Sequence, residues 1–217
     1  MKFFIDFDGT ISNEDVVDKI LERFGAPEWQ AIEAEWAAGK IGSRECLSRQ
    51  LALVRAGSLD IESLMDQITI DPFFPEFLQT AEANQVPVFI VSDGFDFVIH
   101  GVLKRRLSGG AYEKLKIFCN RLGVHKTFVR AFFPAGECEH GCANCKQRIL
   151  KNFVAPDEKI IFVGDGLSDR YAAQTADFTF AKKKLLEFCR ANQIRHKEYS
   201  NFRQISEWVA GKERVLC

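Results

Sequence analysis

MKFFIDFDGT, residues 1–10, opens the chain with an apolar run, Phe3-Phe4-Ile5, that has no polar break. A strand buried on both faces of a parallel sheet reads this way. Two carboxylates, Asp6 and Asp8, follow at once, and then Gly9 and Thr10. Stability gives no reason to put two acids at the end of a buried strand, whereas open parallel sheets bind their ligands at the carboxyl ends of the strands. The stretch therefore points to an α/β protein with a doubly wound, Rossmann-like parallel sheet.

Each residue type here suits phosphoryl transfer. A carboxylate can attack phosphorus and split one hard displacement into two easier ones. A second carboxyl two residues on can protonate the leaving oxygen and later deprotonate water. Gly9 allows a tight turn, and Thr10 offers a hydroxyl to a phosphate oxygen. An Asp-Gly turn after a strand is also common in its own right. Working outward, Val88-Phe89-Ile90-Val91 is a second apolar run and ends in Ser92-Asp93-Gly94. Ile160-Ile161-Phe162-Val163 is a third and ends in Gly164-Asp165-Gly166-Leu167-Ser168-Asp169. Between them Lys146 opens a helical-looking segment, KQRILKNF. Taken singly, each later cluster can be only a turn, and an isolated Lys146 is better read as a solvated lysine. Their joint occurrence is what points to a site.

In this order and with these flanking strands, the four clusters resemble the haloacid dehalogenase-like superfamily of phosphatases. The resemblance implies that Asp6 is the nucleophile and Asp8 the general acid/base. It implies that Thr10 and Ser92, with the adjoining Asp93 and Gly94, bind the phosphoryl group, and that Lys146 neutralises its charge and orients Asp6. It also implies Mg²⁺, held by Asp6, the backbone carbonyl of Asp8 and Asp165, with Asp169 beside them or bound through water. The chemistry agrees, since Mg²⁺ takes a few carboxylates, retained waters and a substrate phosphate. Catalysis would then consist mainly of in-line positioning and charge stabilisation.

From residue 13 the periodicity turns helical for about seventy residues. Ser12 to Asp15 reads as a capping box opening a helix through Val16, Val17, Ile20, Leu21 and Phe24 to Gly25. Further helices are expected at 28–38, 43–56, 60–69 and from Pro75 to Asn84. The expected division is a catalytic core of 1–12 plus 85–217 and an inserted all-helical cap of 13–84. That insertion resembles the cap of the phosphoserine-phosphatase-like branch, which closes over substrate and excludes water. Enzymes specific for phosphoserine grip the amine and carboxylate with a Glu after the first motif and an Arg in the cap. Here Glu14 and Asp15 stand near the first position and Gln50 stands at the second, with Arg44 and Arg49 close by; Glu14, Asp15, Arg44 and Arg49 are the candidate specificity residues, and phosphoserine does not follow. Glu14 and Asp15 read equally well as acids at a helix N-terminus. Trp29 and Trp36 share a helix face, for which core packing is the ordinary reading.

Shorter pieces resemble one branch more narrowly: Gly25-Ala26-Pro27-Glu28-Trp29, Asp93 to Phe97, Cys145-Lys146, Phe180-Ala181, Leu185-Leu186-Glu187 and Cys189. That branch holds a methionine-salvage phosphatase acting on a methylthio-ketose phosphate, and its neighbours include phosphoethanolamine/phosphocholine phosphatases. The resemblance implies a small phosphorylated metabolite as substrate.

The chain as a whole sets bounds. Its 217 residues suit one core domain with a modest insertion, and 47% hydrophobic content allows a sizeable core. Twenty phenylalanines read as aromatic packing. A net charge of −1 argues against nucleic-acid or membrane-surface binding. No stretch reaches the length of a membrane span, and the acids at 6 and 8 interrupt any leader-like run, so a cytoplasmic protein is expected. Nothing in the sequence sets an oligomeric state. Seven cysteines in such a chain suggest free thiols or metal ligands. Cys138, His140, Cys142 and Cys145, in CEHGCANCK, have spacing compatible with a structural Zn²⁺, with Cys119 an alternative fourth ligand. A plain loop with idle thiols is the preferred reading of that segment. His100, His125 and His196 stand alone. LKIFCN at 115–120 and TFVRAFF at 127–133 read as strands of a flap. Lys182-Lys183-Lys184 reads as a solvated helix start. Three rivals to hydrolysis stay open: phosphotransfer to another acceptor, a phospho-accepting signalling module, and a metal- or redox-responsive binding protein. The early position of Asp6 and the length of the chain argue against the signalling module.

Overall fold

The computed structural model describes residues 1–134 and 136–211. Cys217 lies outside them. The three apolar runs become adjacent parallel strands: β1 (Lys2–Ile5) lies between β2 (Val88–Phe95) and β5 (Ile160–Gly164). The seven-stranded sheet has the order β4-β3-β2-β1-β5-β6-β7, with β3 (Lys116–Val124), β4 (Val129–Phe132), β6 (Phe178–Ala181) and β7 (His196–Glu198). Every pairing is parallel except β3–β4, which forms the expected flap as an antiparallel extension at one edge. β7 was not foreseen. Its three residues, His196, Lys197 and Glu198, carry no apolar signal.

Both faces of β1 are buried, as the unbroken run requires. Phe3 and Ile5 point to one side, where Phe3 meets Phe77 at 5.4 Å between ring centroids and Trp208 at 6.2 Å. Phe4 points to the other, stacking on Phe89 at 5.0 Å in a layer with Leu150, Ala172 and Leu185. The first layer is built by α5 (Phe74–Ala83), α6 (Asp96–Arg106) and α10 (Phe202–Val209). The second is built by α7 (Lys146–Asn152), α8 (Arg170–Thr175) and α9 (Lys183–Ala191).

The insertion contains α1 (Val16–Phe24), α2 (Trp29–Ala37), α3 (Ser43–Leu51) and α4 (Ser58–Met65). Its boundary differs from 13–84. The chain leaves and re-enters the core at a backbone bridge between Ser12 and Ile70, with Asp71 N–H donating to Ile11 O at 2.8 Å. Buried Asp71 accepts from Phe202 N–H at 3.1 Å, and Phe74 packs on Phe202 at 5.0 Å, so α5 belongs to the core. The amphipathic face of α5 matches the sheet as well as it would a cap, and periodicity alone does not tell the two apart. The cap of α1 is Asp15, which accepts from Asp18 N–H at 3.1 Å. Ser12, read as that cap, instead donates to Phe7 O and Glu14 O within the loop after β1.

Candidate active site

The carboxyl ends of β1, β2 and β5 meet beneath the cap at a cavity of about 330 Å³ lined by Asp6, Asp8, Ser92, Asp93, Gly94, Lys146 and Asp165. Gly9 turns the chain after β1 at φ +68°, and a Cβ there would lie 2.4 Å from Asp165 Oδ2. The Ser92-Asp93-Gly94 segment sits where β2 breaks register with β3 between Val91 and Phe95. Such a bulge re-aims side chains at the end of a strand. Gly94 is needed for space, since a Cβ would fall 2.6 Å from Asp8 Oδ2.

Lys146 is fully enclosed. Its ammonium lies 2.8 Å from Asp6 Oδ1 and 2.6 Å from Asp169 Oδ1. Burial works against its charge, but Asp169, Asp6 and Asp93 hold it protonated well above the ordinary lysine range. The contact with Asp169 is a hydrogen bond, whereas Asp6 Oδ1 has only the ion pair and is otherwise a buried oxygen without a donor. Asp169 is saturated, because Oδ2 also accepts from Asp165 N–H at 3.0 Å and Gly166 N–H at 3.2 Å. It thereby holds both Lys146 and the turn that presents Asp165.

Asp8 accepts from Val16 N–H at 3.0 Å and from the Ser92 hydroxyl at 3.2 Å. Removal from water, followed by repulsion from Asp15, lifts its carboxyl to about 8. A carboxyl raised in this way holds its proton more tightly, the direction a general acid needs. Burial likewise lifts Asp93 to about 6, against Lys146 and the N–H of Asn144. Burial and the neighbouring acids Asp169, Asp165 and Asp8 raise Asp6, with Lys146 opposing them.

Asp6, Asp165 and Asp169 present carboxylate oxygens within 4.8 Å of one another. Three buried carboxylates with such crowded hard oxygen donors fit a divalent cation such as Mg²⁺. Thr10 has a different place from the one its sequence suggested: its hydroxyl donates to Asp165 Oδ1 at 3.1 Å rather than facing the cavity.

The cap supplies the rest of the wall through Asp15, Asp18, Glu33, Trp36, Cys46 and Gln50. Asp15 is both helix cap and cavity residue. Glu14 does not line the cavity; its backbone carbonyl holds Gly9 N–H and the Ser12 hydroxyl. Arg44 and Arg49 are corrected as specificity residues. Arg49 pairs with Glu35 at 2.8 Å and Glu45 at 3.3 Å on the cap's outer side. Arg44 reaches Gly136 O and lies over the Phe133 ring. Gln50, at the matching position for the serine-gripping arginine, is buried and donates to Glu33 Oε2 at 3.0 Å. Trp36 faces the cavity with its indole N–H on Ser43 Oγ at 3.0 Å, while Trp29 packs against the core.

The lysine run does start a helix, α9, with Lys183 and Lys184 exposed, but Lys182 and Lys183 also reach the site. Lys183 takes φ +49°, and its ammonium lies 2.9 Å from Asp165 Oδ2 and 3.3 Å from Gly9 O. Lys182 Nζ donates to Thr10 O at 3.4 Å and lies over the Tyr199 ring. Both follow the end of β6, and that position was the available signal. Asn144 was missed without any signal. Buried, it donates from its amide to Ser92 O and Phe118 O, both at 3.0 Å, and from its backbone to Asp93 Oδ1 at 3.1 Å.

The profile of the Putative Phosphatase family matches residues 2–216. This chain belongs to that family. Family members that it resembles are named 2-hydroxy-3-keto-5-methylthiopentenyl-1-phosphate phosphatase. The protein from Geobacillus kaustophilus (strain HTA426) is 30% identical, covering 98% of this chain and 97% of its own. That from Geobacillus thermodenitrificans (strain NG80-2) is 29% identical over 92% and 90%. Among solved structures, an aspartyl-phosphate intermediate analogue of phosphoserine phosphatase superposes with TM-score 0.72 at 21% identity, covering 95% of this chain and 97% of that one. A substrate-bound phosphoserine phosphatase complex gives TM-score 0.72 at 22% identity and the same coverage. The likeness carries the fold. The enzyme is a phosphatase, and no helix among its described residues is long and apolar enough to cross a membrane.

Proposed function

We propose that this phosphatase is a cytoplasmic, Mg²⁺-dependent phosphomonoesterase that works through an aspartyl-phosphate on Asp6. The observation that carries the reading is the buried Asp6–Lys146–Asp169 line, with Asp8 held beside it by Val16 and Ser92. Asp6 attacks phosphorus in line with the ester oxygen while Lys146 balances charge on the phosphoryl oxygens. The phosphorus–ester bond breaks, and the proton of Asp8 goes to the leaving alcohol. Asp8, now a carboxylate, takes a proton from water; the resulting oxygen attacks phosphorus, breaks the bond to Asp6 and releases phosphate. Mg²⁺, held by Asp6, Asp165 and the Asp8 carbonyl, supplies further neutralisation of phosphoryl charge when bound.

For the substrate we propose a small methylthio-ketose phosphate. Val17, Trp36, Cys46 and Leu47 form an apolar side of the cavity that suits a thioether tail. A second reading rests on Asp15, Asp18 and Glu33 in the same wall, which suit an amino-alcohol phosphate such as phosphoethanolamine or phosphocholine. Phosphoserine is disfavoured, since Arg44 and Arg49 are engaged away from the cavity. The test is kcat/KM across methylthio-ketose phosphates, phosphoethanolamine, phosphocholine and phosphoserine. A methylthio-ketose preference of tenfold or more, about 1.4 kcal/mol, is expected; equal turnover of all four overturns the substrate reading.

A further inference from the structure

The segment before Lys146 contains a second cluster of potential ligands, independent of the carboxylates. The sulfurs of Cys138, Cys142 and Cys145 lie within 4.8 Å of one another. A tetrahedral zinc with bonds of about 2.3 Å spaces its sulfurs ~3.8 Å apart, so closure around an ion needs only small side-chain movements. The backbone between the first two thiols is already folded for it. Gly141, at φ +62°, donates its N–H to Cys138 O at 3.0 Å, and Cys142 N–H donates to Cys138 Sγ at 3.3 Å. An amide donor on sulfur stabilises thiolate character. His140 is not part of the group: its ring stacks on Tyr171 at 3.8 Å, with Nε2 3.3 Å from Glu139. Cys119, the alternative fourth ligand, is not part of it either. The Cys₃His set anticipated from spacing is therefore reduced to three thiols, beside a surface cavity of about 310 Å³ lined by Cys138, Cys145 and Gln147 among others.

We propose that Cys138, Cys142 and Cys145 bind Zn²⁺ as a three-thiolate site whose fourth position is open to water. Each thiol releases its proton to solvent as it becomes a ligand. The ion would clamp a loop with two attachments. On the cap side, Arg44 N–H donates to Gly141 O at 3.0 Å, and Gly42 lies so close that a Cβ would fall 2.5 Å from that oxygen. On the catalytic side, Asn144 is tied to β2 and Cys145 is the residue before Lys146. The site thus joins the start of α3 to the start of α7, fixing the cap against the loop that presents the catalytic ammonium.

The test begins with wild-type full-length protein expressed with zinc, purified without chelator and dialysed against excess Mg²⁺ to clear the carboxylates. Near-stoichiometric zinc is expected to remain, and metal-free protein titrated with Co²⁺ in excess Mg²⁺ is expected to gain sulfur-to-cobalt charge-transfer absorption. Cys138→Ser and Cys142→Ser should lose both signals. Cys46→Ser, Cys119→Ser and Asp6→Asn should keep both, the last separating this site from the phosphatase chemistry. Absence of retained zinc together with a cobalt spectrum lacking sulfur bands overturns the proposal. Signals that persist unchanged in both Cys138→Ser and Cys142→Ser overturn it as well. If the serine variants do not fold, the two wild-type measurements decide.

Discussion

Asp6 and Asp8 are two residues apart yet have different work because their partners differ. Asp6 meets an ammonium, whereas Asp8 receives an N–H and a hydroxyl and is lifted to about 8. Asp6→Asn is expected to abolish turnover with an unchanged circular dichroism spectrum, since an amide does not attack phosphorus. Asp8→Asn should keep the fold and lose about 10²–10⁴-fold in kcat, the usual contribution of a general acid/base. Gly94→Ala tests positioning rather than chemistry: its methyl would fall 2.6 Å from Asp8 Oδ2. Displacing Asp8 by an ångström costs on the order of 10²-fold, to be read as kcat at unchanged melting temperature.

At the scale of the element, α1 carries a charge conflict that serves the cavity more than the helix. Asp18 would ordinarily be welcome in a first helical turn. Removal from water, with repulsion from Asp15, Glu33 and Glu22, instead lifts it to about 7. A carboxyl raised on folding makes the native state hold its proton longer than the unfolded chain does. Stability is therefore greatest below the unfolded value near 4 and falls as pH rises towards 7, beyond which the penalty is constant. Asp18→Asn should consequently raise the melting temperature at pH 8 by a few degrees and change it little at pH 4. An equal shift at both pH values would show that repulsion is not the cause. The same element explains the altered cap boundary, since α1 to α4 hang from one backbone bridge while α5 stays on the sheet.

For the whole molecule, the core and cap close on a cleft in which Asp6, Asp165 and Asp169 crowd together, partly balanced by Lys146 and Lys183. Mg²⁺ should raise the melting temperature, because a ligand at a hundredfold excess over its Kd adds about 2.7 kcal/mol. For a chain of this size that is a rise of roughly 5–10 °C. EDTA should remove phosphatase activity, and added Mg²⁺ should restore it. Asp165→Ala should raise the Mg²⁺ concentration giving half-maximal rate and shrink the thermal shift. Wild-type Mg²⁺ dependence in that variant would place the ion elsewhere.

The three central strands and the reactive edge at their carboxyl ends are legible in the chain's own pattern. Phe3-Phe4-Ile5, Val88 to Val91 and Ile160 to Val163 are runs that only a doubly covered strand tolerates, and the polar clusters that end them stand where such sheets bind ligands. Local chemistry was enough because each signal lies within a few residues. Tertiary structure decided whatever depends on partners distant in the chain. Thr10 turned to Asp165 across 155 positions, Lys183 came to the same carboxylate from the end of β6, and Asn144 tied Ser92 to the loop before Lys146. Arg44 and Arg49 left the cavity because Gly136 and Glu35 offered partners that no spacing announces. A run of lysines or a pair of arginines has the same local pattern whether solvated or engaged, and only the folded chain brings the carboxylates and carbonyls that distinguish the two.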